Sequence, residues 1–490
     1  MNLKIICISI GILATELLAA QDQTTELSLE QVVKIARLES PDAQTARHSF
    51  RSAYWNYKYY RANYLPSLSL TSDPNLNRAI NKITMGDGSV KFVEQNLLNT
   101  DLTLNLSQNI PWTGGSLFLE TSAQRMDLFS EHKYSWQTSP IMIGYRQSLF
   151  GYNSLKWDKR IEPVRYQEAK KSYVETLELV SANAINKFFA LATAQSNYDI
   201  ASFNYANADT LYRYAQGRYN IGTITENEML QLELNRLTEE TNRMNARIEM
   251  DNCMQELRSY LGIQEEREIR VRVSSRIPDF SINLNEALAL AYENSPDIQT
   301  MKRRKLESES AVARARANAG LKADIYLRFG LTQTADKLPE AYRNLLDQQY
   351  VSLSISLPIL DWGRGKGQVR VARSNRDLVY TQVEQSRTDF ELNVRKLVKQ
   401  FNLQTQRVRI AARTDETAQR RSEVARKLYL LGKSTILDLN ASISEKDSAR
   451  RNYISALYNY WSLYYTLRSM TLYDFERNTM LTEDYHLLIE

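Results

Sequence analysis

Residues 368–431 read QVRVARSNRDLVYTQVEQSRTDFELNVRKLVKQFNLQTQRVRIAARTDETAQRRSEVARKLYLL, 64 positions without a glycine or proline, closed by Gly367 before and Gly432 after. At ~1.5 Å of rise per residue, an unbroken helix of this length measures roughly 96 Å. A second run of the same kind, Val164–Gln216, lies between Pro163 and Gly217. Helices of compact domains average three to four turns. Two such rods in one chain therefore imply a molecule built to reach across a gap.

Past each rod the chain turns and comes back. Tyr219-x-x-Gly222-x-x-Thr225 recurs as Tyr429-x-x-Gly432-x-x-Thr435, and break-free runs follow both, Thr223–Leu261 and Lys433 onward. In the first return, Leu230, Leu234, Leu237, Thr241, Met244 and Ile248 alternate steps of four and three. In the second, Leu439, Ile443, Lys446, Arg450, Tyr453, Leu457, Tyr460, Tyr464 and Leu467 do the same. This is the seam of a coiled coil with some polar positions. Each rod and its return are expected to form an antiparallel helical hairpin with its tip at 217–223 or 431–435.

The repetition extends upstream. Leu29–Thr45, LEQVVKIARLESPDAQT, matches Leu284–Thr300, LNEALALAYENSPDIQT, at 7 of 17 positions with an offset of 255. Ser40 and Ser295 suit helix caps, Pro41 and Pro296 a first helical turn, and Asp42 and Asp297 the positive end of the helix dipole. The chain reads as a tandem duplication.

Between these helices and the rods the period changes to two. Ser67-Leu68-Ser69-Leu70 alternates, as do Leu102, Leu104, Leu106 and then Leu117, Leu119. Pro111-Trp112-Thr113-Gly114-Gly115 supplies a turn, so 101–124 is expected to be a hairpin, with Ile141, Ile143 and Tyr145 continuing the pattern. The second half offers two strands, Ala323–Gln333 and Tyr350–Leu357. The tips align at an offset of 210 rather than 255, so the first half carries 45 extra residues in its strand region. The extra hairpin is expected there, leaving two shared strands per half and four per chain. The boundaries that follow are a first repeat over 21–280 (strands about 66–150, helical hairpin about 154–261), a second over 281–470 (strands about 323–358, helical hairpin about 366–467), and a tail over 471–490.

Residues 1–20 have the character of a secretory signal, with Lys4, an apolar stretch Ile5–Leu13 and Leu18-Ala19-Ala20 before Gln21. Its removal takes Cys7 and leaves Cys253 as the sole thiol, expected in the core, so no internal disulfide framework exists. No later apolar run reaches the ~18 residues of a membrane helix. A net charge of +5 on 62 basic and 57 acidic side chains gives no ground for a nucleic-acid partner. If the mature chain enters a membrane, it must do so as part of a closed barrel. Four amphipathic strands cannot close alone, whereas three chains would supply twelve, enough to enclose a lumen. Their helical hairpins would continue the wall as a tube roughly 95 Å below the strands.

The duplicated Leu-x6-Ala-x4-Pro start, the strand-to-helix junctions Leu149-Phe150-Gly151 and Leu360-Asp361-Trp362-Gly363-Arg364, and the two Tyr-x-x-Gly tips together resemble TolC-type outer-membrane efflux proteins over about 27–470. The resemblance implies a mainly α chain with a membrane β-barrel. It would be a homotrimeric channel-tunnel with a twelve-stranded β-barrel, a long α-helical barrel and an equatorial layer of short helices. It also implies a passive exit duct of a tripartite efflux or type I secretion system in the outer membrane of a Gram-negative bacterium. Its partners would be outer-membrane lipid, a periplasmic adaptor and an inner-membrane pump of RND or ABC type. A secreted structural coiled-coil or adhesin-like protein without a lumen is the alternative reading.

The family's tips dock the adaptor, which carries over to Gly222, Thr223, Gly432 and Lys433, although glycine there also simply makes the turn. Acidic side chains narrow the family's pore just past the second tip. Asp438 holds the first such position, whereas Ala441 stands at the second. A three-fold ring of Asp438 would favour cations and raise its own pKa by like-charge repulsion. Glu228 is its counterpart in the first half, with a solvated helix-face charge as the plainer reading. Tyr429 matches a residue that ties the closed tip, but Ser434 replaces the arginine expected five residues on. Gly363-Arg364-Gly365-Lys366-Gly367 lacks the phosphate-loop pattern and fits a strand-to-helix turn. The basic stretch Arg395, Lys396, Lys399, Arg407, Arg409 and Arg413 is expected to be a solvated face balanced by acids on neighbouring helices. Tyr54, Trp55, Tyr57, Tyr59, Tyr60 and Tyr64 are expected to pack at the junction below the first strand, with a membrane-interface belt as the alternative. His48, His132 and His486 are scattered, so the sequence supports no metal site, no cofactor and no catalytic centre.

Overall fold

The computed structural model describes residues 25–264, 268–431 and 433–489, so the signal segment 1–20 and Gly432 lie outside the described residues. The chain divides into two compact units. One comprises the chain up to Arg51, Ala169–Ile298 and Thr388 onward; the other comprises Ser52–Glu168 and Gln299–Arg387.

The tandem repeat is plain in the element order. Strand β1 (Thr25–Ser28) leads into short helices α1 (Leu29–Glu39) and α2 (Pro41–Ala62). Strands β2 (Ser67–Ser72), β3 (Asn75–Thr84), β4 (Val90–Ile110), β5 (Gly115–Leu128) and β6 (Lys133–Ser148) follow. Next come the long helix α3 (Ser154–Asn220), its return α4 (Glu226–Leu261) and strand β7 (Ile269–Arg272). The second copy has α5 (Leu284–Asn294), α6 (Pro296–Ala319), β8 (Lys322–Ala335), β9 (Leu346–Ser356), α7 (Arg364–Leu430) and α8 (Ile436–Thr471). Short strands β10 (Tyr473–Asp474) and β11 (Thr479–Met480) end it.

The caps expected from the duplicated Ser-Pro-Asp form in both copies. The Ala43 amide donates to Ser40 Oγ at 3.1 Å and the Asp297 amide to Ser295 Oγ at 3.2 Å, with Pro41 and Pro296 as first helical residues. The long helices each span 67 residues. Helix α3 starts at Ser154, the expected boundary and ahead of the break-free run from Val164, and so runs through Pro163. That proline costs one backbone hydrogen bond in the third turn, which so long a helix tolerates.

In the helix-rich unit the core lies where α3, α7 and α8 meet the short helices. Phe188, Ile185 and Leu191 of α3, Phe401 and Val394 of α7, and Leu457, Tyr460, Tyr464 and Leu467 of α8 are enclosed. Each buried tyrosine keeps its hydroxyl satisfied: Tyr460 donates to the Pro278 carbonyl at 2.8 Å and Tyr464 to Asp474 Oδ1 at 2.6 Å. The α8 seam is thus buried at Leu439 and from Leu457 onward, with Ile443 and Tyr453 half-buried between them. The α4 seam has the same spacing, yet Leu234 (65%) and Ile248 (60%) stay exposed. An apolar stripe at coiled-coil period with no partner in its own chain is a surface for another helix. Cys253, expected in the core, is only half-buried on α4.

An ion network sits in the same core. Glu178 of α3 is completely buried and accepts from Arg37 of α1 and from Arg468 of α8 (Nε at 2.8 Å). Arg468 also meets Asp474 at 3.0 Å, and Arg37 meets Glu483 at 2.7 Å. No described helix is long and apolar enough to cross a membrane.

In the other unit, one antiparallel sheet runs in the order β2-β4-β5-β6-β8-β9, with β3 continuing β2 along the upper part of β4. The hairpin expected over 101–124 is β4–β5, closed by Ile110 opposite Gly115. The first half thus supplies four strand positions and the second half two. The distal part of β4 and its partner β3, joined at Met85–Ser89, were not read from the sequence. Pro140 sits at a register shift between Thr138 and Ile141, where a missing amide does least harm.

Candidate functional site: an amphipathic wall and two helical tips

The alternation of the strands sorts their side chains onto two faces. Leu68, Leu106, Leu119, Ile143 and Phe329 are directly opposite one another on five successive strands. The neighbouring row holds Leu117, Tyr145, Leu327 and Val351. Most of these positions are exposed, Leu68 at 67% and Val351 at 65%, with Tyr145 and Leu327 half-buried. A sheet that turns its leucines outward across its whole width is built for an apolar surrounding.

The reverse face is polar and ordered. Its row Ser67, Ser107, Phe118, Gly144, Arg328, Tyr350 crosses all six positions. The Ser67 and Ser107 hydroxyls are 2.8 Å apart, and Arg328 reaches Glu120 at 3.3 Å. Phe118 lies on Gly144 so closely that a Cβ there would come within 2.0 Å of its ring. Phe118 also stacks on Tyr326, and the Arg146 guanidinium lies 5.5 Å from the Tyr326 ring centroid.

At the end of the sheet nearest the helices, Trp112, Phe150, Ile359 and Trp362 are exposed, Trp362 at 90%. Aromatic and apolar side chains at the rim of an apolar face are an interfacial girdle. By contrast most tyrosines below β2 pack as expected, although Tyr59 stays 72% exposed. Tyr57 stacks on Tyr166 at 4.4 Å, and Tyr64 donates to the Leu155 carbonyl at 2.7 Å. The turn into α7 is likewise the expected one: Asp361 accepts from the Gly363 and Gly365 amides at 2.9 and 2.8 Å. The basic stretch on α7 finds acids on its own helix rather than on a neighbouring one, with Arg395 on Glu391 and Arg413 on Glu416, both at 2.7 Å.

The two tips are near-copies in detail. At the first, Gly222 has φ of +67°, its amide donates to the Tyr219 carbonyl at 2.8 Å, and the Thr223 amide donates to Arg218 at 2.9 Å. This is a glycine-closed helix end. At the second, the Lys433 amide donates to Leu428 at 2.9 Å, while Gly432 lies outside the described residues. Both returns start with a capping box. Thr225 Oγ1 accepts from the Glu228 amide at 3.2 Å, and Glu228 Oε2 accepts from the Thr225 amide at 2.9 Å. Thr435 and Asp438 repeat this, with the Thr435 hydroxyl 2.7 Å from Asp438 Oδ2. That bond holds the exposed Asp438 carboxyl below the usual carboxylate range.

The structure therefore gives both acids a capping role that the reading of the tips overlooked. The signal was present in the Thr-x-x-Glu and Thr-x-x-Asp spacings. Tyr429 is not part of these boxes. It lines a groove of about 450 Å³ with Phe203 and Leu211 of α3, Arg426 of α7, and Leu439 and Lys446 of α8.

Residues 287–471 match the family described as outer membrane efflux protein. Outer membrane protein TolC of Escherichia coli (strain K12) is 21% identical over 311 residues. That alignment spans 61% of this chain and 61% of TolC. Among solved structures, the Campylobacter jejuni CmeC outer membrane channel is similar at a TM-score of 0.68 and 16% identity, covering 94% of this chain and 88% of that one. The outer membrane protein VceC from Vibrio cholerae is similar at 0.63 and 14% identity, covering 90% of this chain and 95% of its own. At these identities the likeness carries the fold.

Proposed function

We propose that the chain belongs to the outer membrane efflux protein family, whose model matches residues 287–471, and that three copies form the passive exit duct of a tripartite efflux or type I secretion system. The duct lies in the outer membrane of a Gram-negative bacterium and carries substrates across periplasm and outer membrane. The observation that carries this reading is the sheet: leucines outward across its width, polar groups inward, and edge strands β2 and β9 each with one side unpaired among the described residues. Each unpaired backbone group left in lipid costs several kcal/mol, so the sheet has to close with others. The exposed seam on α4 supports the same closure among the helices, since it offers apolar knobs that its own chain does not cover.

In this assembly the first-half tip Gly222-Thr223 and the second-half tip Gly432-Lys433 receive the periplasmic adaptor, which joins the duct to an inner-membrane pump of RND or ABC type. Asp438 stands at the start of α8, where three copies bring three carboxylates towards one axis; Glu228 flanks it and Tyr429 helps to tie the tip. Energy comes from the pump, and no acid, base or nucleophile in the chain is needed for transport. The test is conductance. Protein extracted in mild detergent should run as a trimer and conduct ions across a planar bilayer. A water-soluble rod without conductance would overturn the proposal.

A further inference from the structure

We propose that the added hairpin is part of the wall, so that each copy contributes six strands and β9 of one copy pairs with β2 of the next. This rests on the trimeric reading above and goes beyond it. The four shared strands per chain would give the twelve of the family resemblance, and three added hairpins bring the wall to eighteen.

Three observations carry this. First, the outward apolar row does not stop at the shared strands. Leu106 and Leu119 place β4 and β5, the added hairpin, on the same leucine face as Leu68, Ile143 and Phe329 of the shared strands β2, β6 and β8. A hairpin lying outside the wall would have no reason to share that face. Second, the turn of the added hairpin is anchored at the helix-proximal end of the sheet. Asn153, just before α3, donates to the Pro111 carbonyl at 3.0 Å, and Gln147 donates to the Thr113 carbonyl at 2.9 Å. The hairpin therefore runs the height of the sheet instead of budding from its far end.

Third, the two free edges match. Successive strands are antiparallel across six positions, so β2 and β9 run in opposite directions and meet antiparallel when copies are related by rotation. Ser67-Leu68-Ser69-Leu70-Thr71-Ser72 on β2 alternates as Val351-Ser352-Leu353-Ser354-Ile355-Ser356 does on β9. Set antiparallel in phase, leucine lies beside leucine or isoleucine on the outer face, and serine beside serine on the inner face. The serine contact already exists once on that inner face, between Ser67 and Ser107 at 2.8 Å. Because barrel diameter grows about linearly with strand number, the lumen would be about 1.5 times as wide as with twelve strands.

Disulfide trapping tests this in the full-length protein. Cys253→Ser removes the described free thiol, and Ser69→Cys is then combined in turn with Ser352→Cys, Ser354→Cys and Ser356→Cys. One of these pairs should give dimers and trimers on non-reducing gels of outer membranes that collapse on reduction. A second pair, Ser69→Cys with Arg146→Cys, brings β2 to β6 of the same chain only if the hairpin β4–β5 stands outside the wall. A bond in that pair would overturn the proposal. So would an amine-cross-linked trimer with no disulfide in any β2–β9 pair, which leaves the trimeric duct standing. Loss of the trimer itself would overturn both.

Discussion

The charged knot around Glu178 offers the most direct test of how the helix-rich unit is held. Glu178→Leu removes a fully buried carboxylate and leaves the guanidinium groups of Arg37 and Arg468 without their shared acceptor. Breaking one buried ion pair from one side costs about 3–5 kcal/mol. Here each arginine retains a second acid: Glu483, about a third exposed, for Arg37, and Asp474, 7% exposed, for Arg468. The loss is therefore expected at the lower end, about 3 kcal/mol. Glu178→Gln, which keeps the volume and one acceptor oxygen, should cost about half as much. The assay is denaturant unfolding of the extracted protein, with the midpoint lowered and the slope unchanged. The variant carrying Glu178→Leu, Arg37→Met and Arg468→Met should be more stable than Glu178→Leu alone, because no charge is stranded. A cost below about 1 kcal/mol for Glu178→Leu, or strict additivity in the triple variant, would refute the reasoning.

Three further outcomes follow from the same geometry. Leu353→Arg on the outer face of β9 should cost about 2–4 kcal/mol per chain near the bilayer midplane and deplete folded protein in the outer membrane, while Ser354→Arg on the inner face should be tolerated; equal effects would contradict the two-face assignment. Burial, with a contribution from Asp297, pushes the Glu175 carboxyl up to about 7, so the folded chain keeps a proton that the unfolded chain has released above its ordinary value of 4.5. Stability should fall as pH rises from about 4.5 to 7, by at most about 3 kcal/mol from this group, and Glu175→Gln should flatten that slope in thermal unfolding across the range. Asp438→Ala should raise closed-state conductance and weaken cation selectivity. Asp438→Asn, which keeps a capping oxygen, should do the same with the α8 start intact, and unchanged currents in both variants would remove Asp438 from the gate.

Much of the fold was legible because long-range features leave simple marks. The rods showed as runs without helix breakers, the duplication as Ser-Pro-Asp at an interval of 255, and the wall as Leu-x-Leu alternation. What escaped notice had weaker marks. Strand β3 and the distal end of β4 interleave Arg78, Lys82, Lys91 and Glu94 with apolar residues, so neither face reads as a core face. Strands β1 and β7 are four residues each and pair in parallel across the chain, which leaves no local turn signal. The α4 seam had the right period, yet period says only that a stripe will be covered, not that the same chain covers it. At the tips, the acids were singled out for charge, whereas their spacing from Thr225 and Thr435 makes them caps as well.

The claim beneath the rest is that this sheet is finished only by its neighbours. It is tested most directly by measuring, on one preparation in mild detergent, the mass of the particle and the protection of its β-sheet amides from hydrogen exchange. Three chains with protected strands, and loss of protection in β2 and β9 when the particle is dissociated, is the expected result. A stable single chain that keeps every strand protected would contradict it.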